Sequence, residues 1–112
     1  MSERGVALYI ADILEAIKKI ELYTAGMSSD AFQRDSKTID AVVRNVEVIG
    51  EAVNHLPADL KSRHPNIPWR LIAGARNKAI HEYFGIDVSI LWQTIQEDIP
   101  MLKKQITVLS TT

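Results

Sequence analysis

The chain has no cysteine. That excludes a disulfide framework and any thiolate metal site, and it leaves the redox compartment unconstrained. Glycine and proline are scarce, five and four in 112 residues, so no low-complexity or disordered tract is expected. The glycines are scattered, and no phosphate-cradling loop can be built from them. A strong positive excess is also missing: the net charge is −1, which argues against a generally basic coat for nucleic acid. Long apolar runs are absent. In the opening MSERGVALYIADILEAIKK, charges are threaded through the apolar residues, so neither a signal-peptide core nor a membrane span is expected, and the cytoplasm is the default compartment. Sustained apolar/polar alternation and Asn-Gly or Asp-Gly turns are lacking too, so no strand is expected.

Metal chemistry has no ligand set. His55, His64 and His81 share no ligand spacing, and there is no His-Glu-x-x-His pair or carboxylate cluster, so no metal and no cofactor are expected. Ser28, Ser29, Ser36, Ser62 and Ser89 fall in cap or loop contexts, which leaves a nucleophilic triad without support.

What is present is helical periodicity. From about Ser2 to Tyr23, Val6, Ile10, Ile13, Ile17 and Ile20 recur at steps of four and three and share one face. Gly26 supplies a stop, and Ser28-Ser29-Asp30 a new N-cap. From about Ser36 to His55 the stripe is Ile39, Val42, Val46, Ile49 and Val53, widened by Val43 and Ala52. A short helical turn is expected from Pro57, at a first helical position, to about Arg63. A third main helix should begin near Pro68, turn Trp69, Ile72, Ala75 and Ile80 inward, and end near His81 or Tyr83. The last should run from Asp87 to Leu109 through Val88, Leu91, Ile95, Ile99, Leu102 and Ile106, kinked by Pro100. The expected fold is a single all-α domain over residues 1–112: an up-and-down antiparallel helical bundle with four main helices and a short extra helical turn. The second long helix also carries Ala41, Val48 and Ala52 beyond what one small bundle must bury. A symmetric homodimer and an apolar monomer surface both accommodate that surplus.

Charge is unevenly placed. Residues 57–84 hold Lys61, Arg63, Arg70, Arg76 and Lys78 against Asp59 and Glu82, a local balance of +3. That excess suits an anionic ligand, and it also suits a solvated helix face. Within it lies RNKAIHEY, residues 76–83. Arg76 and His81, five apart, point about 140° away from each other on a regular helix, whereas Arg76 and Tyr83 differ by only about 20°. Taken alone, the three side chains read as a polar helix end before they read as a catalytic site. A shared site needs either a helix that ends at His81 or a two-fold partner that brings its own copy into a common cleft.

The hallmark Arg76, four residues, His81, one residue, Tyr83 occurs together with IGEA at Ile49–Ala52, IPWR at Ile67–Arg70, FGID at Phe84–Asp87 and QEDIP at Gln96–Pro100. In this combination the chain resembles, over about residues 4–106, the HEPN-domain family of HepT-like toxins. The resemblance implies an all-helical, HEPN-like homodimer whose two motif copies line a cleft. It implies a metal-independent RNase acting as the toxin of a toxin–antitoxin pair. It implies, as the antitoxin partner, an MNT-type nucleotidyltransferase able to transfer AMP to the motif tyrosine, here Tyr83.

The residue chemistry fits that expectation. RNA is cleaved without metal when its 2′-hydroxyl attacks the adjacent phosphorus, which needs a base, an acid and positive charge on the transition state. His81 suits the proton transfers, and Arg76 suits the phosphate oxygens. Asn77, Lys78 and Arg70 are candidate phosphate or RNA contacts, with a helix-end hydrogen bond the other use for Asn77. AMP on Tyr83 would place a phosphodiester beside Arg76 and His81 and obstruct RNA. Two other classes of function also fit the sequence: a non-catalytic helical module that binds nucleotide or a nucleotidyltransferase partner, and a purely structural helix-bundle adaptor with Trp69 and Trp92 as core residues.

Overall fold

The computed structural model describes residues 3–70, 72–73 and 88–110. Among these residues there are helices and no strands. α1 spans Glu3–Thr24 and buries Ile10, Ile13, Ile17 and Ile20, with Val6 half-buried against the same core. The helix closes at Gly26, whose φ of 75° lies in the left-handed region. Only a residue without a Cβ enters that region freely, and there the Met27 N–H bonds back to the Thr24 carbonyl at 3.1 Å.

The Ser28 cluster does more than cap. Ser28 Oγ accepts from the Ala31 N–H at 3.1 Å and starts a short helix, α2, over Ser29–Gln33. This helix was not expected, because two adjacent apolar residues in five leave no periodicity to read. Its anchor is Phe32, fully buried with its ring 5.2 Å from that of Trp92. α3 runs Ser36–His55, the expected span, with Asp35 as N-cap accepting from the Thr38 N–H at 3.0 Å. The whole expected stripe is buried, Val43 and Ala52 included. Ala52 therefore belongs to the chain's own core, and only Ala41 and Val48, both half-buried, remain from the apparent surplus. Asn45, buried in that stripe, is satisfied through its Nδ2, which donates to the Ala41 carbonyl at 2.8 Å.

α4 covers Ala58–Arg63, with Pro57 as its N-cap rather than its first helical residue. Residues 69–70 and 72–73 are again helical. The chain then continues through α5 (Val88–Gln93), a π-helical turn (Thr94–Asp98) and α6 (Ile99–Ser110). A π turn stands directly before Pro100, where the kink was expected. Proline offers no N–H, and its ring collides with the carbonyl four residues back. Widening the preceding turn, so that the Ile99 N–H reaches the Thr94 carbonyl, accommodates the ring while the helix continues. Ile95, Ile99, Leu102, Ile106 and Leu109 all remain on the buried face.

Helix directions follow from side-chain pairs. Tyr9, early in α1, stacks on His55 at the end of α3, with ring centroids 4.9 Å apart. Lys103, early in α6, contacts Glu21, late in α1, at 3.0 Å. α1 is thus antiparallel to both α3 and α6, as in an up-and-down bundle. Among the described residues, no helix is long and apolar enough to cross a membrane.

Candidate functional site

The segment that leads into the candidate motif is built around Trp69. The loop after α4 ends in Ile67, buried, and Pro68, whose carbonyl accepts the Ile72 N–H at 3.0 Å as the first helical bond. Trp69 lies half-buried against the core. Its Nε1–H donates to the carbonyls of Lys61 and His64, both at 3.1 Å. One indole therefore clasps the end of α4 to the start of the next helical stretch, which sets the backbone from 61 to 70 as one corner. Trp69 was expected among the core residues, but its role as a clasp was not legible.

Arg70 follows the clasp directly. It is helical and exposed, and its guanidinium makes no ion pair among the described residues. Ile72 and Ala73 pack against the core beyond it. Arg76, Asn77, Lys78, His81 and Tyr83 lie outside the described residues, as do Ala75, Ile80 and Asp87. The described chain resumes at Val88, which with Leu91 and Trp92 packs on the same core. Of the six candidate site residues, the structure thus places Arg70 only: at the surface, one residue past the clasp.

Electrostatics separate this corner from the remainder. Residues 57–73 carry Lys61, Arg63 and Arg70 against Asp59, a net of +2, whereas residues 3–56 carry six Lys and Arg against nine Asp and Glu, a net of −3. A polyanion is repelled from the α1–α3 surface as a whole and attracted to the α4–Arg70 corner.

The other two histidines have distinct settings. His55 Nδ1 lies 2.8 Å from the Glu51 carbonyl, so that nitrogen carries a proton and donates, and the ring is stacked on Tyr9. His64 is half-buried with only its backbone engaged among the described residues, its N–H donating to the Lys61 carbonyl at 3.2 Å. Among the described residues, no group of three or more His, Cys, Asp or Glu side chains could hold a metal ion.

Comparison with known proteins bears on what the corner and the motif serve. The family model "Ribonuclease HepT-like" matches residues 13–109. The "Probable ribonuclease HepT" of Thermococcus cleftensis is 52% identical over 95 residues, covering 85% of this chain and 86% of that protein. A "Putative RNase" of Methanocaldococcus jannaschii is 42% identical over 106 residues, covering 95% and 88%. Another "Putative RNase", from Caldanaerobacter subterraneus, is 42% identical over 98 residues, covering 88% of each. No solved structure matches the chain. With the family model spanning most of its length and close relatives aligned nearly end to end, the chain belongs to the HepT-like ribonuclease family.

Proposed function

We propose that this chain is a metal-independent endoribonuclease and the toxin of a toxin–antitoxin pair, acting in the cytoplasm as a homodimer. The observation that carries the reading is membership of a ribonuclease family with the Arg76, His81 and Tyr83 motif intact. One His81 takes the proton of the 2′-hydroxyl as that oxygen attacks phosphorus. The bond from phosphorus to the 5′-oxygen breaks, and the second protomer's copy of the same histidine returns a proton to the leaving oxygen. The products are a 2′,3′-cyclic phosphate and a free 5′-hydroxyl. Arg76 remains protonated and forks onto the non-bridging oxygens where charge develops. Asn77, Lys78 and Arg70 hold flanking phosphates.

Dimerisation is favoured by the five-residue spacing of Arg76 and His81, which one straight helix does not converge. It is also favoured by apolar side chains left at the surface, Leu8, Leu22, Met101 and Val108, which association would cover. An MNT-type nucleotidyltransferase antitoxin silences the enzyme. The Tyr83 phenol attacks the α-phosphorus of ATP, pyrophosphate leaves, and the phenolic proton is lost to solvent. The phosphodiester so formed then occupies the arginine that RNA requires.

The unmodified protein is expected to cut RNA in EDTA and to leave cyclic-phosphate ends, with activity lost in His81→Ala. Intact mass after co-expression with the antitoxin should show AMP adducts that Tyr83→Phe lacks. Absence of cleavage by unmodified protein, together with equal growth of cells expressing wild type and His81→Ala, would overturn the reading.

A further inference from the structure

The N-terminal half of α1, α4 and the last turn of α6 enclose an open groove of about 770 Å³, within the roughly 300–1,000 Å³ typical of small-ligand sites. Val6, Ile10, Leu14, Leu60 and Leu109 give it apolar walls, and Arg63 and His64 line it from the basic corner. We propose that this groove is an RNA subsite that takes one nucleotide outside the scissile linkage, its base against the apolar walls and its phosphate on Arg63 and His64. The proposal rests on the ribonuclease reading above and adds an RNA contact to it.

Three observations converge on that occupant. The groove is walled in part by α4, in the segment 57–73 whose net charge is +2, and among the described residues its charged side chains are Arg63 and Asp59, so Arg63 is the cation it offers a phosphate. The Arg63 guanidinium is held only loosely: its Nε lies 3.5 Å from Asp59 Oδ2, and the two side chains are 64% and 84% exposed. An ion pair of that kind contributes little and gives way to a phosphate at small cost. The backbone beneath is fixed, because the Trp69 indole clasps the carbonyls of Lys61 and His64. A cation on a fixed backbone beside an apolar cleft is the pairing that single-stranded RNA binding uses, with phosphate on the charge and base on the apolar surface.

The test uses the full-length His81→Ala protein and a short labelled single-stranded RNA, with affinity read by fluorescence anisotropy across a salt series. Arg63→Glu is expected to weaken binding about tenfold at low salt and to reduce the slope of log affinity against log salt by about 0.7 for the lost phosphate contact. Ala11→Trp fills the groove from an exposed position on α1 without changing charge, and it should weaken binding to a similar degree. Lys19→Glu, exposed elsewhere on α1, makes the same charge change as Arg63→Glu and should leave affinity within twofold of the parent. Wild-type affinity in both Arg63→Glu and Ala11→Trp overturns the inference. So does a result in which these variants change only the sedimenting mass, which would make the groove a contact between protein copies. Failure of the ribonuclease reading is seen separately, as absence of cleavage of any RNA by the unmodified wild type.

Discussion

Replacing Trp69 by Phe removes one N–H and keeps an aromatic ring in its place, so it isolates the clasp. The indole N–H is shared between the Lys61 and His64 carbonyls at 3.1 Å each. Neither acceptor is orphaned by its loss: Lys61 keeps the His64 N–H at 3.2 Å, and His64 keeps the Ile67 N–H at 3.2 Å. The cost is therefore one net hydrogen bond, about 1 kcal/mol, with no unsatisfied-acceptor penalty added. The smaller ring also gives up part of the apolar contact of a half-buried side chain, up to about 1 kcal/mol more. The expected destabilisation is about 1–2 kcal/mol. With about 2.1 cal/mol/K of unfolding entropy per residue, a chain of this length loses about 4 °C of Tm per kcal/mol, so the Tm should fall by about 4–9 °C. Trp69→Ala should cost more, about 2–3 kcal/mol, below the range for fully buried aromatics because the ring is partly exposed. Urea unfolding followed by circular dichroism measures both, and an unchanged m-value would confirm that neither end state has altered in compactness. A Phe variant within about 0.5 kcal/mol of wild type, the scatter of inconsequential substitutions, would refute the claim that the indole N–H holds α4 to the next helical stretch.

Gly26→Ala should destabilise by about 1–2 kcal/mol from the left-handed backbone alone, since an added Cβ there meets nothing within 4 Å; an unchanged thermal midpoint would show that the turn relaxes. Asp35 gives a pH dependence of known sign. The Thr38 N–H, then the Thr38 hydroxyl, hold its carboxyl below the ordinary value of 3.8. A depressed folded pKa means that the cap's contribution is fully present above that value and is lost as pH falls through the lower folded pKa. Asp35→Asn keeps an acceptor for the Thr38 N–H and should flatten this part of the acid limb in urea midpoints measured from neutral pH to below pH 3.8; an acid limb identical to wild type would remove Asp35 from the account.

The long helices were legible because a buried face imposes steps of three and four on any helix that carries it. Ile10, Ile13, Ile17 and Ile20, and Ile39 through Val53, are core in the structure as their spacing requires. α2 was not legible, since Phe32 becomes core by packing with residues distant in the chain, Trp92 sixty residues later among them. The π turn needed knowledge of how the helix before Pro100 absorbs the ring, which residue spacing does not state. The candidate motif was read as a pattern of residue types, and its significance came from the wider family likeness. Of its associated residues, the structure speaks only for Arg70.

From the sequence alone came the all-helical class, the bounds of α3, the stop at Gly26 and the family itself, because each rests on local spacing or on residue identity. Tertiary structure alone decided that Trp69 clasps carbonyls five and eight residues before it, that Ala52 is buried within its own chain, and that Val6, Leu60, Arg63 and Leu109 line one groove. The physical reason is the same in each case. Helical periodicity states which face of an element must leave water, but the partner that covers it is chosen only when the helices pack.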